Sequence, residues 1–131
     1  MRAYLKNYRQ SPRKVRLVAD LIRGKSVERA LATLSFLGKR ASLPLKKLLE
    51  SAVSNARAQG KDPKNLAIGS IRVDEGITFK RLEYRARGSA NIIQKRTSHI
   101  DLVLEEQAKE AHAEEESSQE TVSARKLKTK N

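Results

Sequence analysis

Apolar residues recur every three or four positions in three segments of the first sixty residues, which is the period of an amphipathic helix. The first segment, SPRKVRLVADLIRG, has Ser11 as a candidate N-cap, Pro12 at the first helical position and Gly24 at its end. The other two segments span residues 26–38 and 42–60. The sequence therefore predicts three helices, with buried stripes formed by Val15, Val18, Leu21 and Ile22, by Val27, Ala30, Leu31, Leu34 and Leu37, and by Leu45, Leu48, Leu49, Ala52, Val53 and Ala56.

After the turn-rich segment KDPKN, the period of the apolar positions changes to two, which is typical of strands. Residues 66–73 predict one strand, irregular around Gly69, and residues 77–87 and 92–104 predict two more with a turn at Gly88. Residues 3–9 are compatible with a further short strand. The predicted fold class is α+β, with three helices packed on a small antiparallel sheet.

The last two predicted strands form one long protruding β-hairpin over about residues 77–104, within a domain of residues 1–104. Its base reads as apolar, with Ile77 and Phe79 on one arm facing Ile100, Leu102 and Leu104 on the other. Its far half is basic. An eleven-residue strand reaches roughly 35 Å, so we expect this far half to stand clear of the core.

The charge of the chain is high and uneven. Its formal net charge is +13, and the first hundred residues hold 23 Lys and Arg against seven Asp and Glu. This balance predicts a polyanionic partner, with nucleic acid ahead of an anionic membrane surface, because aromatic residues make up only 4% of the chain. Residues 105–131 are acidic and of low complexity, and the sequence predicts a disordered tail there.

The cations of the predicted hairpin indicate how such a partner would be bound. An isolated two-stranded ribbon is marginally stable in water, and repulsion between its cations weakens it further. A surrounding polyanion removes that repulsion, and Arg side chains pair with phosphates through two hydrogen bonds. The chain carries no helix-turn-helix, zinc-finger or basic-zipper pattern, so a folded RNA suits this ribbon better than duplex DNA. The hairpin cations are Lys80, Arg81, Arg85, Arg87, Lys95 and Arg96.

The sequence offers little support for catalysis, metal binding or a cofactor. There is no cysteine, and the two histidines, His99 and His112, are far apart. Asp101 near His99 does not make a catalytic mechanism, and no nucleotide-binding glycine motif is present. We therefore predict that the chain is not an enzyme, binds no metal or cofactor, and has no small-molecule substrate and no membrane partner. Two alternatives stay open, a free-standing nucleic-acid-binding protein and an RNA-processing enzyme that would depend on His99.

Three motifs resemble the family of bacterial large-subunit ribosomal protein twenty-two. They are SPRKVRLVADLIRGK at residues 11–25, SAVSNA at residues 51–56 and RARGSANIIQKRTSHI at residues 85–100, and the resemblance covers roughly residues 3–104. The resemblance implies a cytoplasmic protein of the large ribosomal subunit that binds several domains of the ribosomal RNA and supports subunit assembly. It also implies neighbouring ribosomal proteins as partners.

The resemblance further implies roles for individual residues. The hairpin tip would line the nascent-peptide exit tunnel and meet the nascent peptide, and it comprises Arg85, Ala86, Arg87, Gly88, Ser89 and Ala90. The returning strand would bind RNA through Lys95, Arg96, Thr97, Ser98 and His99, and the first helix through Arg13, Lys14 and Arg16. Asn55, in the second motif, would have a packing or RNA-binding role.

Overall fold

The computed structural model describes residues 1–106 of the chain. Within these residues, three consecutive helices lie between the first strand and the last four, in an α+β arrangement. The elements are β1 (Arg2–Tyr8), α1 (Pro12–Ile22), α2 (Val27–Phe36), α3 (Ser42–Ala58), β2 (Leu66–Glu75), β3 (Phe79–Tyr84), β4 (Ala90–Lys95) and β5 (Ser98–Glu106), with single 3₁₀ turns at Pro63–Asn65 and Ala86–Gly88.

The helices begin and end close to where the sequence predicts. Ser11 and Ser26 are the N-cap residues of α1 and α2, although neither hydroxyl makes a side-chain capping bond. Gly24 and Gly60 follow α1 and α3 with φ of +73° and +75°. Those positive φ angles let the chain leave each helix in a conformation that other residues adopt only with strain.

The strands form two antiparallel sheets. The body sheet has the order β1–β5–β2, so its central strand is the last one in the sequence. The second sheet is a two-stranded ribbon of β3 and β4, which protrudes beyond the body sheet. The predicted fold class is therefore confirmed.

The hydrophobic core lies between the helices and one face of the body sheet. Its apolar side chains come from the predicted stripes of α1, α2 and α3 and from alternate positions of the strands. The prediction for Leu21 was wrong, because this residue is 47% exposed while Ala19 is buried in its place. The buried face of α1 is formed by Val15, Val18, Ala19 and Ile22, and the helical period places position 21 about 100° away from the centre of that face.

The long hairpin is built differently from the prediction. Strand β5 pairs with β2, so Ile100 lies opposite Val73 and Leu102 opposite Ile71. The predicted apolar base is therefore wrong on its first arm, where Ile77 and Phe79 are 61% and 45% exposed. The two arms run on from β2 to β3 and from β4 to β5, and only the outer part, residues 79–95, leaves the body.

The predicted boundary at residue 104 falls inside β5. Glu105 and Glu106 continue the strand opposite Ala67 and Leu66. Glu106 also forms a 2.8 Å ion pair with Lys61, which lowers the pKa of the Glu106 carboxyl. The rest of the predicted disordered tail, residues 107–131, lies outside the described residues. Among residues 1–106, the helices are too short or too polar to span a membrane.

Candidate nucleic-acid interface

Both faces of the protruding ribbon are exposed. Its register places Arg81 opposite Ile93 and Phe79 opposite Lys95 on one face, and Lys80 opposite Gln94 on the other. All twelve residues of β3 and β4 are exposed. Side chains on opposite faces of a strand alternate, so cations extend from both sides of the ribbon.

The ribbon also carries an apolar strip that the charge pattern did not reveal. Leu82 lies opposite Ile92, and Tyr84 follows two positions along the same face, opposite Ala90. Their exposed fractions are 60%, 60% and 77%. Alternation in the sequence assigns these positions to one face of a strand, but it does not show whether that face is covered or exposed.

The tip closes through a tight turn at residues 86–89. Arg87 and Gly88 both have positive φ, 61° and 73°, and the Ser89 N–H donates to the Ala86 carbonyl at 3.4 Å. Positive φ at both central positions is the pattern of a type I′ turn. Gly adopts it freely, whereas Arg adopts it with strain. The turn fixes the direction in which the Arg87 side chain leaves the backbone at the end of the ribbon.

The junction between ribbon and body is held by buried hydroxyl groups. Thr97 and Ser98 are 2% and 0% exposed. The Thr97 hydroxyl donates to the Ile77 carbonyl at 2.8 Å, and the Ser98 hydroxyl donates to the Gln10 carbonyl. Both hydroxyls are predicted RNA contacts, but in the folded chain each has a protein acceptor. They fix the ribbon to the body, and only their neighbours Lys95 and Arg96 are exposed.

Gly76 passes directly beside Thr97 at this junction. Its N–H donates to the Thr97 carbonyl at 3.0 Å. A Cβ at position 76 would overlap the Thr97 Oγ1 and would lie 3.2 Å from the His99 ring. The close approach of the two arms therefore requires glycine here.

His99 has a structural hydrogen bond on the outer face of the body sheet. Its Nδ1 accepts the Asn7 N–H at 3.1 Å. Asn7 lies at a bulge between β1 and β5 and has a φ of 54°. Because Nδ1 is the acceptor, a neutral ring carries its proton on Nε2, which is left to donate to a partner.

The exposed cations of α1 divide into two without a side-chain partner and two that also cap the sheet edge. Arg13 and Lys14 are exposed, and within residues 1–106 neither has a side-chain partner. Arg16 donates through Nε and Nη2 to the Val73 carbonyl, at 3.1 and 3.0 Å, and Arg23 donates to the Ile71 carbonyl at 3.1 Å. Strand β2 is an edge strand, so these two arginines cover carbonyls that no neighbouring strand pairs.

Asn55 likewise donates to a carbonyl of an edge strand, at the other edge of the body sheet. Its Nδ2 donates to the Arg2 carbonyl of β1 at 3.2 Å. Strand β1 is the second edge strand of the sheet. The side chain of Asn55 is therefore engaged in packing, which is one of the two roles the sequence suggests for it.

A salt bridge on the outer face of the body sheet was not anticipated. Both Nε and Nη2 of Arg2 donate to the Asp101 carboxylate, with the Nε contact at 2.7 Å. The hydrogen bond from Arg2, together with the charges of Arg2 and Arg72, holds the pKa of Asp101 below its ordinary value. The same bond raises the pKa of Arg2.

Comparison with known proteins agrees with this architecture. A family model described as ribosomal protein L22p/L17e matches residues 3–105 of the chain. The chain belongs to this family. A protein of Deinococcus deserti named "Large ribosomal subunit protein uL22" is 54% identical over 106 residues, which are 80% of this chain and 76% of that protein.

Two further relatives carry the same name. The protein of Maridesulfovibrio salexigens is 51% identical over 106 residues, and that of Mesoplasma florum is 50% identical over 107 residues. These matches cover 80% and 81% of this chain and 96% of each relative. The L22p/L17e family consists of ribosomal proteins, which confirms the prediction that the chain is not an enzyme. It also confirms the resemblance stated from the three motifs.

Proposed function

We propose that the chain is a structural constituent of the large ribosomal subunit in the cytoplasm, where it binds ribosomal RNA and supports subunit assembly. The observation that carries this proposal is the protruding ribbon, whose two exposed faces are built without a hydrophobic core. An ordered ribbon of this kind needs a surrounding partner, and its cations make that partner a polyanion. The names of the relatives supply the subunit.

The RNA contacts of this proposal are the exposed cations on the ribbon and on α1. The ribbon supplies cations on both faces and at the tip, so it can lie between separate RNA segments and hold them together. Arg16 retains Nη1 for a phosphate beyond its two bonds to Val73, and His99 retains Nε2. The proposed set is Arg13, Lys14, Arg16, Lys80, Arg81, Arg85, Arg87, Lys95, Arg96 and His99.

Three of the predicted RNA contacts have a positioning role in the proposal, namely Thr97, Ser98 and Asn55. Each side chain donates to a protein carbonyl. They position the ribbon and the sheet edge against RNA without binding it through these side chains. Neighbouring ribosomal proteins would meet the body of the domain.

The tip belongs to the proposed lining of the nascent-peptide exit tunnel. It comprises residues 85–90, which close with small side chains around the turn at Arg87 and Gly88. Small residues let the backbone approach RNA closely, Arg87 supplies charge at the turn, and Arg85 supplies charge before it, where it also pairs with Glu83 at 3.3 Å. A nascent peptide would pass this end of the ribbon.

Salt dependence of RNA binding tests the role of the ribbon. We compare the pair Arg81→Gln and Lys95→Gln with a control pair, Arg57→Gln and Lys64→Gln, which removes the same charge from an exposed part of the body. Binding to large-subunit ribosomal RNA is measured across salt concentrations. The ribbon pair should reduce the slope of log K against log salt by about two and the control pair should leave it unchanged. Equal losses in the two pairs would show that only net charge matters, and would contradict the proposal.

A further inference from the structure

A hollow beside the connection between α2 and α3 is separate from the ribbon. It has a volume of about 280 Å³ and lies between α1 and residues 37–41. Its apolar lining comes from α1 and from the start of the connection, and it includes Leu17, Leu21 and Leu37. Leu17 and Leu21 are 67% and 47% exposed, so this apolar surface is open to a partner.

Cations surround the hollow without any carboxylate. Lys14, Lys39 and Arg40 line it, and no Asp or Glu does. Within residues 1–106 these three side chains have no ion-pair partner, whereas Arg72 on the sheet is paired with Asp74 at 3.0 Å. The chemistry of the hollow therefore suits a ligand with one apolar, flat part and at least one negative charge.

The connection is fixed before any ligand arrives. The Lys39 N–H donates to the Leu37 carbonyl and the Ser42 N–H donates to the Lys39 carbonyl, both at 2.9 Å. The Tyr8 hydroxyl donates to the Arg40 carbonyl at 3.2 Å. Lys39 and Arg40 thus extend from a braced backbone, which reduces the entropy lost when they bind a ligand.

Gln10 supplies an unpaired acceptor in the same lining. Its Oε1 is shielded from solvent and has no donor among residues 1–106. A buried acceptor without a donor is unfavourable, so a ligand with an amino or hydroxyl group gains free energy when the Gln10 side chain turns toward it. Nucleotides carry such donors on the base and on the ribose.

We propose that this hollow binds one unstacked nucleotide of RNA. The base packs on the leucines, and the flanking phosphates pair with Lys14, Lys39 and Arg40. The volume lies near the lower limit of small-ligand pockets, about 300 Å³, which suits a single nucleotide. Lys14 connects the hollow to the cations of α1, so one RNA strand can cover both. The identity of the RNA as ribosomal rests on the proposed function, but the hollow is a site of its own.

Titration with single nucleotides tests the ligand class. The probes are AMP, UMP, inorganic phosphate and an acidic peptide of alternating Glu and Leu, followed by backbone amide NMR of the full chain. Both nucleotides should give saturable shifts concentrated at residues 17–21 and 37–41, with phosphate about tenfold weaker. Equal binding of phosphate and nucleotides, tighter binding of the peptide, or shifts without saturation would overturn the proposal.

Two variants separate the base from the phosphates. The pair Leu17→Ala and Leu21→Ala removes the exposed apolar surface without a change of charge, and the pair Lys39→Gln and Arg40→Gln removes charge without removing that surface. The alanine pair should weaken AMP binding about tenfold, and the charge pair should do the same while also reducing the salt slope. The control pair Arg57→Gln and Lys64→Gln should bind AMP like the parent chain. Parental binding by a folded alanine pair would overturn the proposal.

Crosslinking within the large subunit distinguishes a failure of the nucleotide-site proposal from a failure of the proposed function. With a photoreactive residue at position 21, a chain that co-sediments with large subunits should crosslink to one RNA site. Co-sedimentation without an RNA crosslink would overturn the proposal that the hollow binds RNA, and it would not contradict the proposed function. Absence of co-sedimentation would contradict the proposed function. The nucleotide titration would then test independently whether the hollow binds a nucleotide.

Discussion

At the scale of single residues, the junction at Gly76 and Thr97 decides whether the ribbon is held to the body. The Thr97 hydroxyl spans the gap between the arms by bonding the Ile77 carbonyl, and Gly76 leaves the space in which that hydroxyl lies. Residue type alone did not predict this role. A threonine in a basic segment reads equally well as an RNA contact, and only burial distinguishes the two roles.

We expect Gly76→Ala to loosen this junction. The new Cβ overlaps Thr97 Oγ1, so Thr97 must turn away from the Ile77 carbonyl, at a cost of about 1–3 kcal/mol. The free energy of unfolding from urea titrations measures the loss, and faster amide exchange in β3 and β4 locates it.

Gly38→Ala is the matched control for that variant. A Cβ at position 38 meets no atom within 4 Å and the residue has no positive φ. Its effect should stay within about 0.5 kcal/mol. Equal stability of the two alanine variants would show that the close approach at Gly76 has no energetic consequence.

The Asp101 carboxylate makes the stability of the domain sensitive to acid. Its pKa is lowered by Arg2, so its stabilising contribution is present above the unfolded-state pKa of about 3.9 and is lost as the pH falls through the lower folded-state pKa. Asp101→Asn should cost about 1 kcal/mol at neutral pH, because Arg2 is partly exposed, and should flatten the fall in stability below about pH 4. Denaturant titrations between pH 7 and pH 2 measure both effects.

Glu50→Gln serves as the control for the acid dependence. Glu50 is exposed on α3 and has no ion pair among residues 1–106. This variant should keep the parental pH profile. If Asp101→Asn also kept that profile, the ion pair with Arg2 would not be the source of the acid sensitivity.

At the scale of elements, the helices follow directly from the sequence, whereas the strands do not. The stripe of α3 is buried as predicted at Leu45, Leu49 and Ala52, because a 3.6-residue period specifies one face of a helix. Residues 92–104 contain no glycine or proline that would mark a break, so the sequence conceals the change of partner at Arg96 and Thr97. Periodicity shows that a strand has two faces but not which strand it pairs with.

Helix α1 protects an edge of the body sheet with Arg16, which the family resemblance implies to be an RNA contact, and with Arg23 at its end. The paired substitution Arg16→Ala and Arg23→Ala should expose the carbonyls of Val73 and Ile71 and lower stability by about 2 kcal/mol. The pair Arg13→Ala and Lys14→Ala removes the same charge from the same helix and should leave stability nearly unchanged. Thermal unfolding of both pairs decides between edge protection and a simple charge effect.

At the scale of the whole molecule, charge and shape act together. A basic body, stabilised by helices on one face of its sheet, holds a ribbon whose cations and apolar strip are both exposed. The sequence indicates the polyanion through its net charge of +13 and the family through three motifs. It could not indicate the hollow beside Lys39 and Arg40, because the leucines of α1 and the cations of the connection meet only in the folded chain.

Sedimentation of ribosomes tests the central claim most directly. A lysate that contains the full chain is separated on a sucrose gradient, the ribosomal fractions are washed in high salt, and the chain is quantified in each fraction. The account predicts that the chain stays with the large subunit at about one copy per particle, because the proposed RNA segments would enclose the ribbon on both faces and slow its release. A chain that washes off the subunit, or that sediments with DNA, would contradict it.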